Sequence, residues 1–224
     1  MQAEQTICVY CGERLKETDD HVPPKSFYPQ PRPSDLITVP SCLRCNQDPG
    51  KDEEFFLATF MFSYAGISDA GKRLWAEKLH RMYEKNLGLK KKIVEHLQHA
   101  EIVTPAGLFL GRSMAIKTDE LRFERVVNKI IRGLYYFEYK EPLPAATKVM
   151  TLFLSEKKRF EAAKNFAAEL KPGSKKWKGI FEYKFNRVAT SLSESMWLLL
   201  FWDFATFWTI SFDEDHFRER HLKR

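Results

Sequence analysis

No stretch of this 224-residue chain is apolar for the length that a membrane helix needs. The most apolar one, Met196 to Phe212, carries Asp203 at its centre. It falls short of the roughly 20 apolar residues of a spanning helix, and a mid-span carboxylate is costly in lipid. The first residues, Met1-Gln2-Ala3-Glu4-Gln5, are polar and lack the apolar segment of a secretory signal. Both absences lead to the expectation of a cytoplasmic protein with no membrane partner. The phosphate-binding pattern G-x-x-x-x-G-K-[ST] is missing, as are a helix-turn-helix signature, an internal repeat and any low-complexity tract. An energy-coupled activity would therefore have to come from another subunit. Cysteine is scarce, with four residues in all. Four would suggest two disulfides in a small secreted protein, and a Cys-x-x-Cys beside a βαβ pattern would suggest redox chemistry. Neither context is present.

What is there is concentrated near the N-terminus. The cysteines form two Cys-x-x-Cys pairs, Cys8/Cys11 and Cys42/Cys45, which bracket Asp20-His21-Val22; the second pair is followed at once by Asn46. Two residues between cysteines let both sulfurs reach one ion at about 2.3 Å, so four thiolates in two knuckles suit a structural, tetrahedral Zn²⁺. Such a staple ties distant stretches together without being reactive. It would bring Asp20, His21 and Asn46 near one another. A carboxylate, an imidazole and a carboxamide are poor competitors for zinc where four cysteines are available, and they suit a second site for a harder metal.

The runs C-V-Y-C-G, D-D-H-V-P-P-K and D-L-I-T-V-P-S-C-L-R-C-N resemble the HNH endonuclease family with its ββα-metal finger, over residues 6–56. The resemblance implies that Asp20 and Asn46 bind one divalent metal, Mg²⁺ or Mn²⁺, and that His21 is the general base on the attacking water. An imidazole suits that role because its ordinary pKa, near 6.5, leaves it largely neutral yet basic at cellular pH. The implied reaction is hydrolysis of a DNA phosphodiester to a 5′ phosphate and a 3′ hydroxyl, with RNA as an alternative substrate. Two features depart from the family pattern. Asp35 stands where the middle Asn braces the loop that aims the His, and an ionised Asp can only accept hydrogen bonds. Asn46 is followed by the turn-like Gln47-Asp48-Pro49-Gly50, which places it on the turn entering the helix. The alternative to a nuclease is a non-catalytic zinc module that binds nucleic acid or protein.

Other residues carry weaker signals. Glu54 could offer a water-mediated ligand, but a solvated glutamate in a first helical turn is the favoured reading. Lys25 and Lys51 flank the site and read equally as phosphate contacts or ordinary surface lysines. Arg125, Lys129 and Arg132 lie off the apolar stripe of a helix, where basic residues are usually a solvated face and less often phosphate contacts. In Lys175-Lys176-Trp177-Lys178 an aromatic sits among lysines, which suits a base stacked on the ring with phosphate beside it; a loop cluster next to a core Trp is as ordinary. Arg218, Arg220, Lys223 and Arg224 in the charged tail could add to DNA affinity. The formal charge of +6 agrees with a polyanionic partner without requiring one.

The fold class expected is α+β: an N-terminal zinc-stapled ββα-metal finger over residues 1–60, then a mixed helix and antiparallel-sheet domain over 61–224. With 44% apolar residues the chain can bury a real core, while a finger of this size depends on its ion and on the rest of the chain. Apolar spacing predicts helices over 52–64, 69–86 and onward through Gln98, and over 119–138. A hairpin is expected over 101–117 around Thr104-Pro105-Ala106-Gly107, a strand over 147–154, and a helix capped by Ser155 that stops at Pro172-Gly173. The aromatic, β-branched stretch 196–212, with I-F-E-Y-K-F-N before it, predicts two or three antiparallel strands. The C-terminal region would select the target or bind a partner, another protein or a second copy.

Overall fold

The described chain opens with short elements gathered around four cysteines. In the computed structural model, which describes residues 6–104, 106–154, 161 and 165–215, a short antiparallel hairpin lies between the two cysteine pairs. Its strands are β1 (Thr18–His21) and β2 (Thr38–Ser41), in register Thr18–Ser41, Asp19–Pro40, Asp20–Val39 and His21–Thr38. Two four-residue strands have little stability alone. They are followed by α1 (Leu43–Gln47), whose N-cap is Cys42, and α2 (Gly50–Tyr64), which is buried along Phe55–Met61.

Ser68 caps α3 (Asp69–Leu74), its hydroxyl accepting from the Gly71 N–H. A π-helical turn (Trp75–Leu79) and α4 (His80–Lys85) continue from it, and Asn86 caps α5 (Leu87–Glu95). The expected helical run through Gln98 ends earlier. Leu97 opens β3 (Leu97–Val103), which pairs with β4 (Phe109–Ile116) from Leu97–Ile116 onward, so the backbone groups past His96 are satisfied across the hairpin instead of along a helix. Asp119 caps α6 (Glu120–Tyr139) by accepting from the Arg122 N–H.

The remaining strands, β5 (Lys148–Leu154), β6 (Lys171–Pro172), β7 (Phe181–Arg187), β8 (Ser195–Phe201) and β9 (Ala205–Phe212), form an antiparallel sheet in the order β5-β9-β8-β7-β6. Alternation decides its faces: Ser195, Trp197, Leu199 and Phe201 are buried, and the residues between them are only partly so. Asp203 sits in the β8–β9 turn, where it and Trp202 take left-handed φ values of 64° and 52°. The start of the helix expected from Ser155 lies outside the described residues, as does the charged tail 217–224. Its expected stop is corrected: Lys171 and Pro172 pair with Phe185 and Lys184 as an edge strand, a position where proline's missing N–H is tolerated.

The apolar core gathers α2, α6 and the inner face of the sheet. Phe56 touches the rings of Phe60, Phe123, Phe201 and Phe207, and Phe27 stacks on it at 5.4 Å. Trp202 donates its indole N–H to the Phe27 carbonyl at 3.0 Å. The division expected at residue 60 falls inside α2, and buried residues on both sides of it belong to one cluster, from Val9 to Phe207. The fold is α+β, with helices and antiparallel sheets. No described helix is long and apolar enough to cross a membrane.

Candidate functional site

The four cysteine sulfurs lie within 4.8 Å of one another, close enough to hold a metal ion, and no disulfide joins them. Local backbone builds each knuckle. Gly12 takes a φ of +68°, which glycine adopts without strain, and donates its N–H to the Cys8 carbonyl at 2.9 Å. At the other knuckle the Cys42 sulfur accepts from the Cys45 N–H at 3.5 Å as α1 begins. Cys8 and Cys42 are buried; Cys11 and Cys45 are half-buried. Burial opposes the Cys8 thiolate, but backbone hydrogen bonds involving Cys11, Cys42 and Tyr10 outweigh it and lower the thiol to about 7. Burial and the neighbouring sulfurs push Cys45 up instead. A cation among the four would bring all of them to the thiolate form.

The quartet joins the start of the hairpin to the start of α1, and Asp20 and Asn46 come together beside it. Asp20 is buried in β1. Its Oδ2 accepts from the Tyr10 hydroxyl at 2.9 Å and from the Lys129 ammonium at 2.9 Å. Lys129 comes from the middle of α6, 9% exposed, and also reaches Glu53 Oε1 at 2.8 Å and the Asn46 carbonyl at 3.4 Å. Burial disfavours the ammonium, yet Glu53 and Asp20 together hold its pKa above the ordinary lysine value. Burial also pushes the Glu53 carboxyl up while Lys129 pulls it down; at 2.8 Å the ion pair is the form that satisfies both groups. The Asn46 amide donates to the Thr18 hydroxyl through a long bond of 3.4 Å.

His21, the next residue along β1, points away from Asp20. It is half-buried, and burial, Lys25 and Arg32 lower its pKa below the ordinary histidine value, against the pull of Asp20 and Asp19. The chain leaving it is pinned from two directions. Val22 abuts Gly133 of α6 so closely that a Cβ on that glycine would lie 2.5 Å from Val22 Cγ2. Lys78, in the π-helical turn, donates to the carbonyls of Ser26 at 2.9 Å and Tyr28 at 3.2 Å, and Glu77 accepts from the Gln30 N–H at 2.8 Å.

The remaining residues singled out in the sequence fall elsewhere. Asp35 accepts from Lys175 at 2.5 Å and from the Trp177 indole at 3.1 Å, which together hold its carboxyl below the usual range. It ties the loop to the C-terminal sheet. Trp177 is buried, edge-on to Tyr28 and stacked near Phe181, so its ring has no open face for a base, and Lys175 is already paired. Lys25, Lys51 and Lys176 are exposed. The basic residues of α6 are engaged within the protein: Arg125 pairs with Asp52 at 2.7 Å, and Arg132 donates to the carbonyls of Leu143, Pro144, Ala145 and Thr147. Glu54 is exposed, in line with the solvated reading, and Glu53 is the acid that turns inward.

Sequence reasoning misses Glu53 and puts Lys129 on a solvated face, whereas both are turned into the site. For Lys129 a signal exists, because Val126, Ile130 and Gly133 put it on the buried face of α6. For Glu53 there is none, since α2 is buried all round from Phe55 to Met61 and has no polar face to set its phase. None of the family models, curated proteins or solved structures compared with the chain matches it.

Proposed function

We propose that the protein is a metal-dependent endonuclease of the HNH type that hydrolyses DNA phosphodiesters. Cys8, Cys11, Cys42 and Cys45 hold a structural Zn²⁺, and Asp20 and Asn46 hold a catalytic Mg²⁺ or Mn²⁺. The observation that carries the reading is that the Asp20 carboxylate and the Asn46 main-chain carbonyl both reach Lys129 Nζ, with Asn46 next to Cys45 of the cysteine quartet and His21 next along the strand. The donor atoms fit a hard ion. Asp20 uses Oδ2 for Tyr10 and Lys129, and Oδ1 has no hydrogen bond from a described residue. Asn46 gives its NH₂ to Thr18, which leaves its Oδ1 as an acceptor. One carboxylate with substrate phosphates and water is an ordinary Mg²⁺ environment.

When bound, the ion offsets charge on the scissile phosphate and on the leaving 3′ oxygen. His21 supplies the base. With its pKa lowered by burial, Lys25 and Arg32, the imidazole is neutral at neutral pH, and a ring nitrogen can take the proton from water as the oxygen attacks phosphorus. Lys25 and Arg32 add positive charge where a phosphate backbone would lie; the Arg32 Nε donation to the Lys25 carbonyl at 3.1 Å holds that arm in shape. The negative charges of Asp20 and Asp19 favour the imidazolium that forms.

Incubating zinc-loaded protein with supercoiled plasmid, single-stranded DNA and RNA, with and without Mg²⁺ or Mn²⁺, tests this. The expected result is metal-dependent cleavage of DNA that leaves ligatable 5′ phosphate and 3′ hydroxyl ends. A second reading, a zinc-stabilised binding module, draws on the fact that Asp20 already has a cationic partner in Lys129. Retained nucleic-acid binding without cleavage in either metal would favour it.

A further inference from the structure

Three oxygens from three separate segments converge on one nitrogen. Asp20 Oδ2 of β1, Glu53 Oε1 of α2 and the Asn46 main-chain carbonyl surround Lys129 Nζ at 2.9, 2.8 and 3.4 Å, with the Tyr10 ring 5.6 Å away on a further side. Two carboxylates and a carbonyl around a small cation are the surroundings of a metal ion. Here the cation is covalently tethered, and it sits on the carboxylate read above as a metal ligand. The side chains of Lys129 and Asp20 are each 9% exposed and that of Glu53 14%, so water screens the charges weakly.

We propose that Lys129 is a built-in competitor for the catalytic divalent ion: it steadies the Asp20 carboxylate while the site is empty and weakens divalent binding by charge. The inference rests on the reading of Asp20 as a metal ligand. A tethered ammonium cannot diffuse away, so its repulsion acts on every ion that approaches Asp20. Substrate phosphates bring negative charge that offsets that repulsion. The free protein then binds Mg²⁺ or Mn²⁺ weakly, and the ion is taken up together with nucleic acid. Lys129 is in this sense a positioning residue, because it acts on the ion through Asp20 and Glu53.

The test is Mn²⁺ binding by full-length, zinc-loaded protein, read from the electron paramagnetic resonance signal of free Mn²⁺. It compares wild type with Lys129→Met, which keeps the buried stem and removes the charge, and with Asp20→Asn. Removing a unit charge so close to the ligand is expected to tighten Mn²⁺ binding by at least about tenfold, and Asp20→Asn to abolish it. A purely structural pair would lower the melting temperature of Lys129→Met and leave Mn²⁺ affinity unchanged or weaker; that result overturns the inference. Because Lys129→Met leaves two buried carboxylates facing each other, the double variant Lys129→Met/Glu53→Gln repeats the test with the pair's net charge conserved. Because Lys129 bonds Asp20 directly and Glu53 bonds Lys129, the double variant too should bind Mn²⁺ more tightly than wild type, by less than Lys129→Met, and its failure to do so overturns the proposal. If Asp20→Asn leaves Mn²⁺ binding intact, the ligand reading itself fails. If Asp20→Asn abolishes binding while Lys129→Met does not tighten it, only the role of Lys129 fails.

Discussion

Residues 6–47 and residues 181–212 are held by different physics. In the first stretch two four-residue strands, a short helix and two knuckles lie around four sulfurs, and the buried apolar side chains, Phe27 and Tyr28 the largest of them, join the core that the rest of the chain builds. In the second, Phe181, Trp197, Phe201, Trp202 and Phe207 are almost fully buried in a regular sheet that holds its own ladder. The difference teaches where each kind of precision comes from. Sulfur spacing brings Asp20 and Asn46 together, whereas the aromatic core supplies a rigid body against which they are braced. The two meet at Phe27, Phe56 and Trp202, while Gly133 and Lys129 of α6 brace the first.

The sharpest way to break that contrast is to deny the four cysteines the Zn²⁺ proposed for them. Chelation, or Cys42→Ser, is expected to expose the amides of residues 6–47 to hydrogen exchange and to abolish cleavage, while β7–β9 stay protected. Structural zinc contributes on the order of 10 kcal/mol in small fingers, which is more than the finger's own burial can replace. Loss of protection throughout would mean that sheet and finger form one cooperative unit. Phe56→Ala attacks the junction instead. Removing a ring buried against both regions should cost about 3–5 kcal/mol in denaturant unfolding and destabilise both together.

Smaller effects sharpen the comparison. Gly133→Ala would drive a methyl into Val22 and is expected to cost about 1–3 kcal/mol, with a fall in cleavage beyond what the loss of folded protein explains, because Val22 follows His21. Lys175→Ala should do least. The Asp35–Lys175 pair is exposed, such pairs add little, and melting temperature and cleavage should both stay at wild-type values. A loss of DNA binding in that variant would restore the phosphate role that its pairing with Asp35 argues against.

Much of the outline was legible because the signals were local. Cysteine spacing, the apolar spacing of the helices over 52–64 and 119–138, and the aromatic, β-branched content of 196–212 each act within a few residues. What escaped was set by long-range partners. Leu97 reads as the end of a helix until Ile116 offers it a ladder. Trp177 reads as a stacking platform among lysines until Tyr28 and Phe181 bury it. Lys129 lies 83 residues from Asn46, and its attachment to Asp20 becomes visible only when α6 packs across the hairpin.

The proposed role of His21 as the base in phosphodiester hydrolysis is the point most open to contradiction. Its most direct test is the rate of plasmid nicking by wild type and His21→Ala at equal zinc content and equal melting temperature, in Mg²⁺ and in Mn²⁺. Nicking is expected to fall by about 10²-fold or more in the variant while zinc and stability are unchanged. Equal nicking by the two proteins would place the chemistry elsewhere and contradict it.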